Sequence, residues 1–275
     1  MKEIDRVIAE GPYDADWNSL FQFTVPDWFS KEKFGIFIHW GLYSIAAHNN
    51  KWYSRNMYIQ DKEEWEYHRK TFGEHTKFGY KDFIQMFHAE KFDPKQWAKL
   101  FKAAGAKYVF PVAEHHDGFQ MYKSEISKYN AFDMGPKRDL LDELREAIEE
   151  ENLMFGSGIV EVERGALADP KPFVWQTDTA IAKNSWCYTD TLEYKTSRQI
   201  ICNFIEIISK NGNMLLNVGP KGDGEIPEED QRILREIGMW MEKKCSLRLW
   251  QIKKNIDSII AVSYTHLTLP TKLEV

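Results

Sequence analysis

The chain has little of what marks several large classes of protein. It has three cysteines, and the spacing of Cys187, Cys202 and Cys245 fits neither a metal site nor a disulfide framework, which favours reduced, buried thiols. It contains no apolar run near the roughly 18 residues that a membrane-spanning helix needs, so no membrane partner is expected. The chain has no excess of positive charge, since 42 Asp and Glu outnumber 36 Lys and Arg and give a formal net charge of −6. A nucleic-acid partner is not expected either, because such a chain could not easily neutralise phosphates.

Composition and length are those of an ordinary globular protein. Apolar residues make up 43% and charged residues 28%, and 275 residues can form one α/β-barrel-sized domain or two smaller ones. The aromatic share of 14% fits a rich core or a carbohydrate cleft, since aromatic rings stack on sugar faces. The first 27 residues lack the apolar core of a secretory signal and carry acidic side chains instead, which predicts a cytoplasmic protein.

Two apolar segments end in histidines. Residues 34–38 are followed by His39 and Trp40, and the run from Tyr108 to Ala113 is followed by His115, His116 and Asp117. Unbroken apolar runs of this length indicate strands buried on both faces, as in a parallel sheet. Because parallel strands end at the same edge, where α/β proteins bind ligands, the polar residues should converge there. The expected binding site therefore comprises His39, Trp40, His115 and His116, and its composition suggests a sugar ligand.

Helices and strands alternate through the middle of the chain. Apolar periodicity and helix-start signals predict helices from Asp93-Pro94, over about 138–150, over 200–208 and from Pro227. Strands are predicted at 34–41, 108–113, 152–156 and 214–218. Repeated βα units imply a parallel sheet, most simply a (β/α)8 barrel. A closed barrel needs eight strands, and the stretch 157–196 offers no clear helix or strand pair, so the barrel is expected to be incomplete.

A metal site is the competing interpretation of the histidines. His39, His115, His116 and Asp117 are residue types that could bind zinc. The chain lacks His-x-His and His-Glu-x-x-His spacings, and adjacent histidines on a strand point to opposite faces. A simpler alternative places one histidine of the pair in the core and the other at the surface. We favour a sugar site and expect no metal and no cofactor. The histidines at 48, 68, 75 and 88, which lie among charged residues, are expected at the surface.

Seven short motifs follow one another between residues 28 and 227. They are Trp28–Gly41, Trp52–Tyr58, His115–Phe119, Glu163–Gly165, Trp175–Thr179, Trp186–Tyr188 and Asn213–Pro227. In this order they resemble the α-L-fucosidases of glycoside hydrolase family 29, over roughly residues 15–243. Of these motif residues, Trp175 and Trp186 are expected to pack in the core rather than to stack on a ligand.

The resemblance implies a retaining glycosidase on a (β/α) barrel, which acts on terminal α-linked L-fucose in a fucosylated glycan or a small fucoside. Such a mechanism uses a nucleophile and an acid/base, two carboxyl groups roughly 5 Å apart. By resemblance Glu163 is the acid/base, with Glu161 as the second choice. His39, His115 and His116 would bind the fucose hydroxyls and Trp52 would line the pocket. The oligomeric state is left open.

The chain departs from the family pattern where the nucleophile belongs. In relatives this residue is an aspartate that ends a strand, whereas here Gly156 runs directly into Ser157 and a motif that lies several elements later in the family. Two to three βα units, on the order of 60–100 residues at ~30 per unit, are expected to be deleted at 156/157. Lys51 is a second departure, because relatives usually have a glutamate there, and an ammonium group cannot accept a hydrogen bond from a sugar.

The end of the chain is the third departure. Residues 244–275 do not follow the family pattern and read as a frameshifted or adapter-derived tail; residues 262–267, Val-Ser-Tyr-Thr-His-Leu, match one frame of a transposase-end sequencing adapter. We therefore expect residues 1–243 to form a partial α-L-fucosidase barrel that is inactive because its nucleophile segment is absent. The alternatives are a fucose-binding pseudoenzyme and a non-functional assembly fragment.

Overall fold

The computed structural model describes residues 6, 9–14, 16–156, 161–163 and 173–245. The chain divides between Lys33 and Phe34 into two units. The first includes the short helices α1 (Trp17–Leu20) and α2 (Asp27–Lys31). Asp16 begins α1, since its carboxylate accepts hydrogen bonds from the backbone N–H groups of the first turn.

The second unit is built on one parallel sheet. Its strands are β1 (Phe34–Ile38), β2 (Tyr108–Pro111), β3 (Met154–Phe155), β4 (Glu161–Glu163), β5 (Trp175–Ala180) and β6 (Gly212–Val218). Their order is β3-β2-β1-β6-β5-β4, and all of these pairings are parallel. The six strands in the described part of the chain are two fewer than a closed barrel has. The predicted fold class, an α/β chain forming an incomplete (β/α)8-type barrel, is thus confirmed.

Helices connect and cover these strands. They are α3 (Tyr43–Ala46), α4 (Tyr53–Asn56), α5 (Glu63–Thr71), a 3₁₀ helix (Tyr80–Met86), α6 (Pro94–Ala103), α7 (Leu140–Glu150), α8 (Ser197–Ser209) and α9 (Glu228–Cys245). The predicted helix starts are confirmed for α6 and α9. Asp93 accepts a hydrogen bond from Gln96 N with Pro94 as the first helical residue, and Thr196 and Gln199 form a capping box at α8.

The prediction that residues 157–196 hold no clear helix or strand pair is wrong, because β4 and β5 both lie there and pair with each other. β5 lies in this stretch, its six residues are all buried, and it pairs with both β4 and β6. Its sequence, Trp-Gln-Thr-Asp-Thr-Ala, does not predict a buried strand, because four consecutive residues are polar. Polar residues in a buried strand need hydrogen-bond partners, which an apolar-run criterion does not anticipate.

Two further expectations are corrected by burial. His68, expected at the surface, is 0% exposed, and its ring nitrogens lie 3.0 Å from the Tyr53 hydroxyl and 2.8 Å from the Phe78 carbonyl oxygen. Among the cysteines, Cys187 is buried as predicted, whereas Cys202 is exposed on α8. The charged neighbours of His68 in the sequence suggest an exposed position. In the structure, His68 lies on the one side of α5 that packs inward.

The chain end beyond Cys245 lies outside the described residues, so the prediction for the tail is not addressed by the fold. Within the described part of the chain, none of the helices has both the length and the apolar character needed to cross a membrane.

Candidate functional site

His39 lies where β1 ends and is fixed by the neighbouring strand β6. Its backbone N–H donates to the Val218 carbonyl (3.1 Å), and its Nδ1 lies 2.6 Å from Oδ1 of Asn217. Asn217 Nδ2 donates to the Trp186 carbonyl oxygen (2.6 Å), so Oδ1 is the accepting atom and His39 Nδ1 carries the proton. In the neutral imidazole Nε2 is then an acceptor. Sequence reasoning did not single out Asn217, which lies inside an apolar strand motif.

His115 and His116 lie in the loop after β2, in a turn where Gly118 N donates to the His115 carbonyl oxygen (3.0 Å). Gly118 has φ +72°, which glycine adopts without strain. The His115 ring centroid is 5.8 Å from that of His39 and 4.6 Å from that of His116. The three histidines therefore converge at the carboxyl ends of β1 and β2, as the strand polarity requires.

Aromatic rings form the walls around the histidines. The Trp52 ring stacks on His116 at 4.3 Å with an interplanar angle of 14°, and Trp52 is 39% exposed. On the other side, the Trp186 ring lies 5.4 Å from His39, and the Tyr43 ring lies 5.3 Å from His115. Trp186, expected to be a packing residue, thus borders the site. An exposed indole beside polar groups is suited to stacking on a sugar face.

Lys51 adds a positive charge to this cluster. Its ammonium group lies 5.0 Å from the Trp186 ring centroid, within cation–π range. Burial, and after it the charges of Lys51 and His116, together lower the pKa of His115 to about 4. His115 is therefore neutral at pH 7. Its buried Nδ1 has no hydrogen-bond partner among the described residues.

Asp117 supports the loop instead of joining the histidines. Its Oδ2 accepts a hydrogen bond from the Tyr80 hydroxyl (2.7 Å), and its Oδ1 accepts one from Phe119 N (3.2 Å). Burial raises the pKa of this carboxyl group against the effect of these two hydrogen bonds. Within the described ranges, histidine, cysteine and carboxylate side chains do not form a group of three or more that could hold a metal ion.

Trp40 does not share the position of His39. It is 5% exposed, its ring packs against Phe87, Phe92 and Trp97, and its Nε1 donates to the Lys221 carbonyl oxygen (2.8 Å). Successive residues of an extended chain point to opposite sides, so His39 and Trp40 cannot both face the site. This location favours a packing role for Trp40 over the substrate-binding role expected from the sequence.

The two candidate acid/base residues lie on β4, the outermost of the described strands next to β5. Its backbone pairs with β5, with Glu161 opposite Gln176 and Glu163 opposite Asp178. Glu163 ends its strand at the same edge of the sheet as His39, three strand spacings or ~14 Å away along the sheet. The catalytic role of Glu163 stays a prediction.

The comparisons agree on one family. The model of the family described as Alpha-L-fucosidase matches residues 1–161 and 157–246. Tissue α-L-fucosidase of Rattus norvegicus is 40% identical over 151 residues, which cover 54% of this chain and 32% of that protein. Plasma α-L-fucosidase of Homo sapiens is 26% identical over 331 residues, covering 84% of this chain and 70% of that protein. The chain thus spans about a third of the length of the tissue enzyme.

The solved structures extend the agreement to the fold. The crystal structure of Thermotoga maritima α-fucosidase matches with a TM-score of 0.79 at 30% identity, covering 85% of this chain and 78% of that one. The structure of the same enzyme in complex with fucose matches with a TM-score of 0.78 at 30% identity and equal coverage. With a family model over most of its length and a structural relative at this identity, the chain belongs to the α-L-fucosidase family.

Proposed function

We propose that this chain binds terminal α-L-fucose in a glycan or small fucoside but does not hydrolyse it, because it keeps the sugar pocket of a retaining α-L-fucosidase and lacks the nucleophile segment. The observation that carries the proposal is the convergence of His39 and His115, whose ring centroids are 5.8 Å apart, beside the exposed Trp52 ring. Imidazoles that can donate and accept hydrogen bonds, next to an aromatic face, match a sugar's hydroxyls and its apolar face. The fucose complex of the Thermotoga maritima relative supports the identity of the ligand.

The missing nucleophile follows from a deletion that we place at 156/157. Two observations support it. The two segments matched by the family model meet at residues 157–161. In the comparison with the human plasma enzyme, 84% of the 275 residues is about 231, so about 100 of the 331 aligned positions have no residue of this chain. This agrees with the loss of two to three βα units at ~30 residues each.

Chemistry by Glu163 alone would be slow. A general acid contributes typically ~10²–10⁴-fold, and only when the bond is held in a formed site. Retention also needs a second carboxylate roughly 5 Å from the first, to form and release a glycosyl-enzyme. Without that partner neither half of the double displacement is supported, so binding can persist where turnover does not.

Calorimetric titration with L-fucose and hydrolysis of an aryl α-L-fucoside test the proposal together. We expect heat of binding that His115→Phe abolishes, and hydrolysis no faster than in buffer. Absence of binding by the folded chain would favour the non-functional fragment. Turnover that survives Glu163→Gln would mean that another carboxylate does the work.

A repaired chain gives the complementary test. Inserting a relative's segment between Gly156 and Ser157 should restore hydrolysis, and Glu163→Gln should then abolish most of it for substrates with poor leaving groups. Azide should partly rescue that variant, because a small anion attacks the glycosyl-enzyme without base assistance. Glu161→Gln in the repaired chain is the matched control and should retain activity; the reverse result would exchange the two assignments.

We also propose that residues 244–275 are a foreign tail, which the end of the family match at residue 246 supports. Sequencing of the source locus tests this. An intact reading frame through Val275 would overturn it.

A further inference from the structure

The segment from Asn49 to Asn56 brings both Lys51 and Trp52 to the candidate site, and one buried carboxylate holds it at both ends. Glu64, in the first turn of α5, is 1% exposed. Its Oε1 accepts a hydrogen bond from Asn49 Nδ2 (2.8 Å) and another from Asn56 Nδ2 (2.8 Å). One oxygen atom therefore joins the beginning and the end of the segment.

These contacts continue to the backbone of Trp52 from both directions. On one side, Asn50 Nδ2 donates to Asn49 Oδ1 (3.1 Å), and Asn50 Oδ1 accepts from Trp52 N (2.8 Å). On the other side, Asn56 N donates to the Trp52 carbonyl oxygen (2.9 Å). Asn49 has φ +60°, a conformation that asparagine tolerates better than most residues but that needs stabilising contacts. The orientation of the Trp52 peptide unit is thus linked to Glu64 through two separate hydrogen-bond paths.

Two neighbours of Glu64 on α5 hold the same region. Tyr67 stacks on His48 with ring centroids 3.7 Å apart, and His68 Nδ1 lies 3.0 Å from the Tyr53 hydroxyl. Residues 64, 67 and 68 have the i, i+3, i+4 spacing of one helix face. The ring contacts supply packing, whereas Glu64 supplies directed polar contacts. Burying a carboxylate costs free energy unless it is hydrogen-bonded. Glu64 is buried, so its hydrogen bonds to Asn49 and Asn56 offset that cost and at the same time hold the segment between these two residues.

We propose that Glu64 is a positioning residue for the sugar pocket: by binding Asn49 and Asn56 it holds the Trp52 ring against His116, and through Trp52 it sets the affinity for the sugar. Glu64 is buried beneath the segment and acts without contact with the ligand. The affinity part of this inference rests on the proposed function, whereas the positioning of Trp52 does not.

Three variants separate the role of the hydrogen bonds from that of the helix. Glu64→Met keeps the length of the side chain and removes the acceptor. Glu64→Gln keeps an oxygen that can accept from both asparagines. Glu66→Met changes an exposed glutamate on the same helix and is the matched control.

Fluorine NMR of the chain labelled with 5-fluorotryptophan reads the position of Trp52 directly. The Trp52 signal, one of ten, is assigned by Trp52→Phe. We expect Glu64→Met to shift or broaden this signal and to leave those of the core residues Trp97 and Trp175 in place. Glu64→Gln and Glu66→Met should resemble the unmodified chain. An unmoved Trp52 signal in Glu64→Met overturns the proposal, as does a displacement of all ten signals. If Glu64→Met does not fold, Asn56→Ser removes one of the two bonds and is judged by the same criteria.

Fucose affinity, measured by calorimetry, tests whether Glu64 affects ligand binding. We expect Glu64→Met to weaken binding about tenfold and Glu64→Gln by less than about threefold. In a Trp52→Ala background, Glu64→Met should have little further effect, because residues that act through one another are not additive. Equal losses in both backgrounds would overturn the route through Trp52. If the unmodified chain binds no fucose, the proposed function fails while the fluorine spectra still decide the role of Glu64.

Discussion

The hydroxyl group of Tyr108 on β2 donates a hydrogen bond (3.1 Å) to Oε1 of Gln176 on β5, although β1 and β6 lie between these two strands. Side chains stand roughly perpendicular to a sheet, so residues three strands apart, ~14 Å along a flat sheet, would not meet. The bond therefore requires a curved sheet whose concave side holds both residues. The incomplete sheet keeps the curvature of a barrel, and the curvature brings the ends of β1, β2 and β6 around one site.

Gly35 is the residue that permits the Tyr108 ring to cross β1. The two residues are paired in adjacent strands, and a Cβ at position 35 would lie 2.1 Å from Tyr108 Cε2. We expect Gly35→Ala to lower the free energy of unfolding by about 1–3 kcal/mol through overpacking. Urea unfolding measures this. In a Tyr108→Ala background, Gly35→Ala should cost less free energy of unfolding than it does in the unmodified chain, because the ring it would clash with is gone. If the costs of the two substitutions simply add, the contact is contradicted.

The two ends of the sheet predict poor solution behaviour. β3 and β4 each pair with only one neighbour among the described strands. The βα units whose deletion we propose at 156/157 would lie between these two strands. Unpaired strand edges and uncovered apolar faces favour association, so the recombinant chain should aggregate and be only marginally stable. Size-exclusion chromatography and thermal unfolding check this. The chain repaired at 156/157 should elute as a single species and melt cooperatively; the same behaviour in the unrepaired chain would contradict the prediction.

The sequence predicts those strands whose buried side chains are apolar. β1, β2 and β6 were predictable because their apolar runs have no other favourable location, and parallel polarity then implied that His39 meets His115. β5 was missed because its buried side chains are polar. Trp40 was assigned to the site because neighbours in sequence were treated as neighbours in space, whereas an extended backbone places it opposite His39.

The residues that hold the site side chains in place could not be identified from the sequence. Asn217 fixes the tautomer of His39 from within an apolar strand, and Tyr43 borders His115 from a short helix without its own motif. Glu64 lies in the run Glu-Glu-Trp-Glu-Tyr, which reads as a solvated helix face. Only tertiary packing shows which of three similar glutamates turns inward, since intrinsic preferences do not distinguish them.

Asp230 should make the protein less stable as the pH rises. It is 2% exposed in the first turn of α9, and its Oδ2 has no hydrogen-bond partner among the described residues. Burial raises its pKa to about 7, although hydrogen bonds from Tyr194 and Gly219 N oppose the shift. The native state then holds a proton that the unfolded carboxyl group, with a pKa near ~4, has lost. Stability therefore falls between about pH 4 and pH 7, by at most ~4 kcal/mol.

The variant Asp230→Asn tests this sign, since an amide keeps the shape and removes the charge. It should raise the melting temperature at pH 8 and leave it nearly unchanged at pH 4. Glu228→Gln, on the exposed side of the same helix turn, is the control and should show no such pH dependence. A gain for Asp230→Asn that is equal at both pH values would contradict the assignment.

His115 predicts how fucose binding depends on pH. Burial, then Lys51 and then His116 lower its pKa to about 4, so the ring stays neutral through the range in which an ordinary histidine becomes charged. Because the unfolded histidine takes up a proton near pH 6.5 and the native one does not, this residue makes stability fall as the pH drops from 6.5 to 4. Fucose affinity, which needs the neutral ring, should be constant from pH 8 to about 5 and fall below that.

Removing the charge of Lys51 should move this profile in a known direction. In Lys51→Met the imidazolium form of His115 is less disfavoured, so its pKa rises and the loss of fucose affinity begins at a higher pH. Lys70→Met, an exposed lysine on α5, is the matched control and should leave the profile unchanged. Proton NMR of the His115 ring gives its titration midpoint, and calorimetry between pH 4 and pH 8 gives the affinity. A midpoint near 6.5 in the unmodified chain would contradict the buried, neutral state, and a profile indifferent to Lys51 would place its charge outside the site.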